Sequence, residues 1–197
     1  KNVELSDNAI REVMRLQDKM DQTYGRQRRR ASIGLYDFDL VSPPLRYGVA
    51  KPDEVSFVPL DFDEELTLDE ILEKHPKGVE YGHLVRPYPV CPIFMDSNNK
   101  VLSFPPIINS DDLGRVTEST MNVLIEVTGT AYKTVLNTLT NVALALADRR
   151  GSIYSVKIRY PYEDLKDVIT PQLKVETLSL DIAYIQKIAG MDLSVSE

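Results

Sequence analysis

At 197 residues, with 43% hydrophobic and 27% charged side chains, the chain can bury a full core and lies outside the compositions of disordered, collagen-like or disulfide-stapled proteins. A net charge of −7 excludes a surface built for general nucleic-acid affinity, which grows with the number of phosphates neutralised, so any RNA contact has to be local. No window approaches the roughly 18 apolar residues of a membrane span, and the N-terminus carries no secretory apolar region.

The single cysteine, Cys91, has no internal disulfide partner, which fits a reducing compartment with the cytoplasm as default. The chain starts at Lys1 and ends on DLSVSE, and is read as one module, 1–197, excised from a longer polypeptide.

Taken in order, Ser6 or Asp7 can cap a helix with Ile10, Val13, Leu16 or Gln17, Met20 and Tyr24 on one face and Gly25 as a left-handed stop. After the Arg26–Arg30 run, Ala31 to Asp39 reads as a strand, with Ile33, Leu35 and Asp37 on one side and Gly34, Tyr36 and Phe38 on the other. Pro43-Pro44, Pro52 and Pro59 hold Leu45–Ala50 and Val55–Leu60 to short edge strands. Thr67 with Glu70 is a capping box for a helix from Leu68 to about Lys74, ended by His75-Pro76. Cys91–Met95 and Val101–Phe104 form a hairpin across the turn residues Asp96 to Asn99.

Met121 to Val127 is almost continuously apolar, the pattern of a central strand covered on both faces. A helix follows with Val135, Leu139, Val142 and Leu146 as its buried stripe. Tyr154, Val156, Ile158 and Tyr160 alternate with polar residues as a half-buried strand, a second strand falls around Leu173–Leu180, and Asp181 caps a last helix ended by Gly190. Strands and helices mix without a βαβ rhythm, so the expected class is α+β, a mixed sheet packed with helices in one compact domain.

Familiar catalytic signatures are absent: no G-x-S-x-G elbow, no Walker loop, no G-x-G-x-x-G and no metal-type Cys or His spacing. Of the two histidines, His75 beside a helix-ending proline reads as a surface residue and His83 as structural rather than a base. Cys91 reads as a small core residue. The runs Arg26-Gln27-Arg28-Arg29-Arg30 and Arg149-Arg150 follow helices. They either complement the negative end of the helix dipole or meet phosphate. Glu126 is the most informative carboxylate, since it interrupts an apolar strand and must be paired, exposed at the strand end or functional. An ordinary strand end with Thr130 as helix cap accounts for it. So does a pocket in which amides at the helix start hold an anion or carbonyl oxygen while Glu126 and Thr128 hold polar substrate atoms.

Tyr88-Pro89-Val90, Asp96-Ser97-Asn98, the run VLSFPPIIN from Val101 to Asn109 and IEVTGT from Ile125 to Thr130 together resemble the β subunit of phenylalanyl-tRNA synthetase in its archaeal and eukaryotic form, at the module that edits mischarged tRNA. RRRASIGLYDFD and Phe57-Val58-Pro59-Leu60 are similar to the same module. The resemblance is best over 1–151, with 152–197 as the module's C-terminal strands and helix. It implies hydrolysis of the ester joining a wrong amino acid, chiefly tyrosine, to the 3′ end of phenylalanine tRNA. Catalytic roles would fall to Thr128 and Glu126, and substrate contacts to Phe94, Ser103, Pro105, Asn109 and Gly129. It implies no metal and no cofactor in this module, ATP and Mg belonging to the full synthetase. The implied partners are the acceptor end of tRNA(Phe) and the α subunit of a heterotetramer, with no membrane.

Tyrosine is the larger amino acid, so a pocket admitting it cannot exclude phenylalanine by size. A buried acceptor such as Glu126 would be satisfied by the tyrosine hydroxyl and orphaned by phenylalanine, and a site built for a hydroxyl discriminates by about 10⁴ to 10⁵. With no evident protein base, the attacking water would lean on the terminal ribose hydroxyl. The alternatives are a non-catalytic module that docks tRNA or the α subunit and, last, a freestanding esterase.

Overall fold

The computed structural model describes residues 1–175, 177–192 and 194. The chain runs α1 (Asp7–Gln22), β1 (Ser32–Asp37), β2 (Arg46–Ala50), β3 (Ser56–Phe57), β4 (Leu66–Thr67), α2 (Leu68–Lys74), α3 (Pro76–Tyr81), β5 (Cys91–Met95), β6 (Val101–Phe104), β7 (Ile108–Asn109), α4 (Asp111–Gly114), β8 (Val123–Thr128), α5 (Tyr132–Ala147), β9 (Val156–Ile158), β10 (Val168–Thr170) and α6 (Ile182–Ala189). Among the described residues all strand pairs are antiparallel, and the class is α+β as expected.

Two sheets organise the interior. β1 and β8 form a ribbon in the register Ser32↔Thr128 to Asp37↔Val123, and β2-β5-β6-β7 form a four-stranded sheet. Because side chains alternate across a strand, the ribbon has two distinct faces. Ile33, Leu35, Val123, Ile125 and Val127 pack with Val13 of α1 and Val142 and Leu146 of α5. The opposite face sends Tyr36 and Leu124 against Phe94 and Leu102 of the sheet, with Val41 and Leu113. The sheet's far side carries the largest cluster, where Ile93 and Phe104 meet Leu68, Ile71, Leu72 and Tyr81 of α2 and α3. The layers are helices, ribbon, sheet, helices, and the ribbon-to-sheet interlayer is where Glu126 falls.

Local signals explain most boundaries. Ser6 caps α1 by accepting from the Ala9 amide, and Thr67 with Glu70 completes the capping box of α2. Asp96 accepts from the amides of Asn98 and Lys100, which closes the β5–β6 turn. Asp181 caps α6 and Gly190 ends it at φ 67°. Asp37 and Asp39 at the tail of β1 accept from Thr120 and Asn122, respectively, and thus tie the strand to the segment before β8.

Several expectations are corrected. Gly25 is not the left-handed stop: positive φ falls on Arg26 (51°), Gln27 (54°) and Arg28 (62°), and glycine is needed at 25 because a Cβ there would strike the Ala31 and Asp21 carbonyls. His75 is 5% exposed, not a surface residue. Pro76 ends α2 by opening α3 at its first position, so His75 is clamped between the two helices. Its Nε2 hydrogen donates to Leu60 O at 3.1 Å and Nδ1 accepts from Lys77 N at 3.1 Å, while burial lowers its pKa.

β8 is not central, since among the described residues it pairs with β1 alone. Its apolar run answers to the layer above and the layer below rather than to flanking strands. The buried line of α5 is Thr134, Thr138, Val142 and Leu146, with Val135 and Leu139 half-buried; the small threonines let the helix lie close over the ribbon. Tyr154, Val156, Ile158 and Tyr160 are exposed rather than half-buried, because among the described residues β9 pairs only with β10 and no layer covers it. The second C-terminal strand is β10, Val168–Thr170, and the described residues of 173–180 form no strand.

Phe104 is wholly buried whereas Val175 is 94% exposed. Phe104→Ala is expected to lower unfolding free energy by about 3 to 5 kcal/mol and Val175→Ala by less than about 0.5 kcal/mol, read from denaturant midpoints at constant slope.

Candidate ligand pocket at the ribbon and sheet interlayer

Strand register assembles the site. Tyr47 of β2, Phe94 of β5, Ser103 of β6 and Asn109 of β7 are successive cross-strand partners. They make one transverse row on the sheet, so three residues proposed from sequence are neighbours. At Phe94/Met95 the register slips, a bulge that re-aims Leu102 into the same interlayer as Phe94. Facing this row, the ribbon places Gly34, Tyr36, Leu124, Glu126 and Thr128 on one face, again by alternation.

The layers meet through a hydrogen-bonded group. The Tyr36 phenol, wholly buried, lies 2.8 Å from Ser103 Oγ and 2.9 Å from Glu126 Oε2. A phenol has one proton; given to the carboxylate, it leaves the Ser103 hydroxyl to donate to the phenol oxygen. Burial and then the charge of Glu126 raise the Tyr36 pKa well above its usual value, so it stays a donor. Gly34, the register partner of Glu126, leaves the space that this group fills: a Cβ at 34 would lie 2.7 Å from Glu126 Oε2 and would strike the Tyr36 hydroxyl.

The other carboxylate oxygen, Glu126 Oε1, is buried and has no hydrogen-bond partner among the described residues. Burial raises the Glu126 pKa from 4.5 to about 7 against the downward pull of Tyr36 and Thr128, with the charge of Asp21 adding to the rise. The Thr128 side chain stands close enough to act on the carboxylate without completing a bond to Oε1. The Tyr47 ring lies 6.5 Å from Phe94. It is half-exposed, yet its hydroxyl end is crowded enough that burial, then the charge of Glu126, raise its pKa.

The remaining proposed residues frame this centre. Pro105 is buried at the end of β6. Asn109 is committed, since its Nδ2 donates to Leu35 O at 3.2 Å and so ties β7 to the ribbon. Gly129 follows β8 in a turn pressed against the preceding loop, where a Cβ would run into the Arg30 carbonyl. Thr130 does not cap α5; it donates to Arg29 O at 2.8 Å, and Ala131 occupies the cap position with no side-chain bond. No helix among the described residues is long and apolar enough to cross a membrane.

No protein-family model matches the chain. It is 48% identical over 195 residues to the phenylalanine-tRNA ligase beta subunit of Thermococcus gammatolerans, 46% over 195 residues to that of Pyrococcus furiosus and 45% over 197 residues to that of Thermofilum pendens. The alignments take in 99% to 100% of this chain and 34% of each relative. The crystal structure of an N-terminal fragment of the phenylalanyl-tRNA synthetase beta-subunit from Pyrococcus horikoshii matches with a TM-score of 0.89 at 42% identity, covering 100% of this chain and 56% of that one. This chain is a homologue of the phenylalanine-tRNA ligase β subunit. It spans about a third of the length of these curated β subunits.

Within this chain, sequence reasoning missed Tyr36, Gly34 and Tyr47. A signal for the first two was present. A glycine inside a strand marks a close approach, and Gly34 shares its face with Tyr36 two residues on. Nothing in the sequence placed Tyr47, because β2 is joined to β5 by register alone.

The raised carboxyl pKa has a stability consequence. The folded state holds the Glu126 proton more tightly than the unfolded chain, so its stabilising contribution is complete below pH 4.5 and is lost as pH rises through about 7. Glu126→Gln, neutral throughout, is expected to match the parent near pH 4 and to exceed it above pH 7 by at most about 3 kcal/mol. Chemical denaturation across pH 4 to 8 reads this difference, and parallel curves for the two proteins would refute it.

Proposed function

We propose that this chain hydrolyses the ester linking wrongly attached tyrosine to the 3′ end of phenylalanine tRNA, as the editing segment of a synthetase β subunit. The observation that carries this reading is Glu126 Oε1, a buried carboxylate oxygen without a partner among the described residues, beside one held by Tyr36. Such an orphan costs the protein about 1 to 3 kcal/mol, and a ligand hydroxyl donated to it would recover that. A bound tyrosine supplies the donor; phenylalanine leaves the oxygen unpaired, and discrimination of about 10⁴ follows from chemistry rather than size. The ring would lie against Phe94 and Pro105, with Tyr47 swinging off Phe94 to admit it. Asn109 and Ser103 would hold the floor of the pocket.

In the hydrolytic step the amides at Thr128-Gly129 and at the uncapped start of α5 would receive the charge that builds on the ester carbonyl oxygen. No histidine serves as a base here: His75 is locked by Leu60 and Lys77, and His83 is exposed, its Nδ1 hydrogen given to Glu80 O. The terminal ribose hydroxyl of the tRNA would orient the water. The acceptor end of tRNA(Phe) and the synthetase α subunit are the partners this reading calls for, and ATP and Mg belong to the aminoacylation centre elsewhere in the enzyme.

A second reading, docking without chemistry, draws support from the apolar side chains left exposed between Tyr154 and Met191, among them Val175, Leu178 and Ile188. Incubation of this chain with tyrosyl-tRNA(Phe) separates the two, because a docking module releases tyrosine no faster than buffer.

Thr128→Ala and, separately, Glu126→Ala are each expected to slow tyrosine release by about 10²-fold or more while thermal melting stays cooperative. Parent-like rates in both would remove these residues from the mechanism. The ratio of tyrosyl to phenylalanyl cleavage should rise with pH through about 7 as Glu126 ionises and becomes an acceptor for the phenol. In Glu126→Gln the ratio should be low and flat, and an equal pH dependence in that variant would refute the acceptor role.

A further inference from the structure

We infer that the arginine loop between α1 and β1 is a cradle for the phosphodiester backbone of a single-stranded RNA end, distinct from the Glu126 pocket and attached to it. This inference rests on the deacylation reading only for the purpose of the cradle; the phosphate chemistry stands on the loop itself.

A concavity of about 560 Å³ is lined by Gln22, Arg26, Gln27, Arg29, Arg30 and His83. It does not include Glu126, so it is a second feature and not the mouth of the first. Among the described residues no carboxylate pairs with Arg26, Arg29 or Arg30, in a protein whose net charge is −7. The other basic run behaves differently, since Arg149 pairs with Glu12 at 2.9 Å and Arg150 with Glu4 at 3.2 Å. Service to the helix dipole does not explain the loop either: Lys19 already sits in the last turn of α1, and the arginines start beyond its cap at Thr23.

The loop is built to present these side chains. Three consecutive residues, Arg26, Gln27 and Arg28, are in the left-handed region, a backbone conformation that L-residues rarely adopt. Arg28 holds that conformation by pointing inward. Its Nε lies 2.9 Å from Asp21 Oδ2, its NH1 donates to Pro106 O and Ile107 O at 3.0 and 2.9 Å, and its guanidinium rests 4.3 Å from the Tyr81 ring centre. Burial raises the Asp21 pKa to about 6 against the pull of Arg28. One arginine is thus spent as a strut, and the other three are turned to solvent around the hollow. Three forked cations with the Gln22 and Gln27 amides match several phosphate oxygens in series, which a single carboxylate ligand would not use.

The cradle is also joined to the proposed reaction centre. Arg29 O accepts from Thr130 Oγ1 at 2.8 Å, and Gly129 sits directly against Arg30 O. A strand held by the arginines would therefore have its end near Thr128.

The test is fluorescence anisotropy of this whole chain with a labelled single-stranded RNA ending in an unpaired 3′ tail, from 50 to 300 mM salt, beside a polyglutamate peptide of equal charge. Each neutralised phosphate of a single strand contributes about 0.7 to the slope of log affinity against log salt. The triple variant R26Q/R29Q/R30Q is expected to lose about 2 from that slope and at least tenfold in affinity at 100 mM salt. Arg28 is left in place because the loop depends on it, and R26E alone, which leaves the other two, should lower affinity severalfold. An unchanged slope in both variants, or polyglutamate binding as tightly as RNA, overturns the cradle. Hydrolysis of tyrosyl-adenosine, which carries no phosphate, by the parent chain tests the deacylation reading separately. Failure there with RNA binding intact would sink the ester chemistry and leave the cradle standing.

Discussion

A phenol, a hydroxyl and a carboxylate meet in the buried interlayer, and the arrangement of two sheets turns on that meeting. Tyr36 reaches from the ribbon to Ser103 of the four-stranded sheet while it holds Glu126 on its own ribbon. Around them Phe94, Leu102, Leu113 and Leu124 exclude solvent, so each bond is stronger than it would be in water and each missing one more costly. The group fixes how the layers sit across from each other and leaves one carboxylate oxygen unserved. On the proposed reading, stability and recognition are in opposition at this atom. Folding would be easier with a neutral amide at 126, and selection of a hydroxyl-bearing ligand would need the acid.

Much of the frame was legible in the chain itself. Alternation in β1, the capping box at Thr67, the β5–β6 turn and the α6 cap at Asp181 are local codes, and the structure follows them. What local codes do not carry is which surface covers which. The apolar run of β8 looked central because periodicity reports burial and not the identity of the neighbour. The exposed face of Tyr154 to Tyr160 looked half-buried for the same reason. His75 escapes the local code because the proline that ends α2 also begins α3 and so encloses the residue before it.

The candidate site was legible in part. Glu126 announced itself by being a charge in an apolar strand, and Phe94, Ser103 and Asn109 came with it through resemblance; register then set the three in one row. Gly34 signalled only a close approach within the strand, and what it and Tyr36 do for the acid stayed hidden because that meaning is relational. A tyrosine facing a strand glycine becomes informative only when the acid across the ladder is known to need both the donor and the room.

Gly129 offers a last point. With its backbone pressed on Arg30 O and its neighbour Thr130 latched to Arg29 O, the turn after β8 is joined directly to the loop after α1. Distance between anything gripped on the arginine side and anything reacting on the carboxylate side is consequently set by the backbone, like the gap of a calliper. A polymer threaded along that piece would be measured in whole nucleotides, and a strand one unit too short or too long would present the wrong bond.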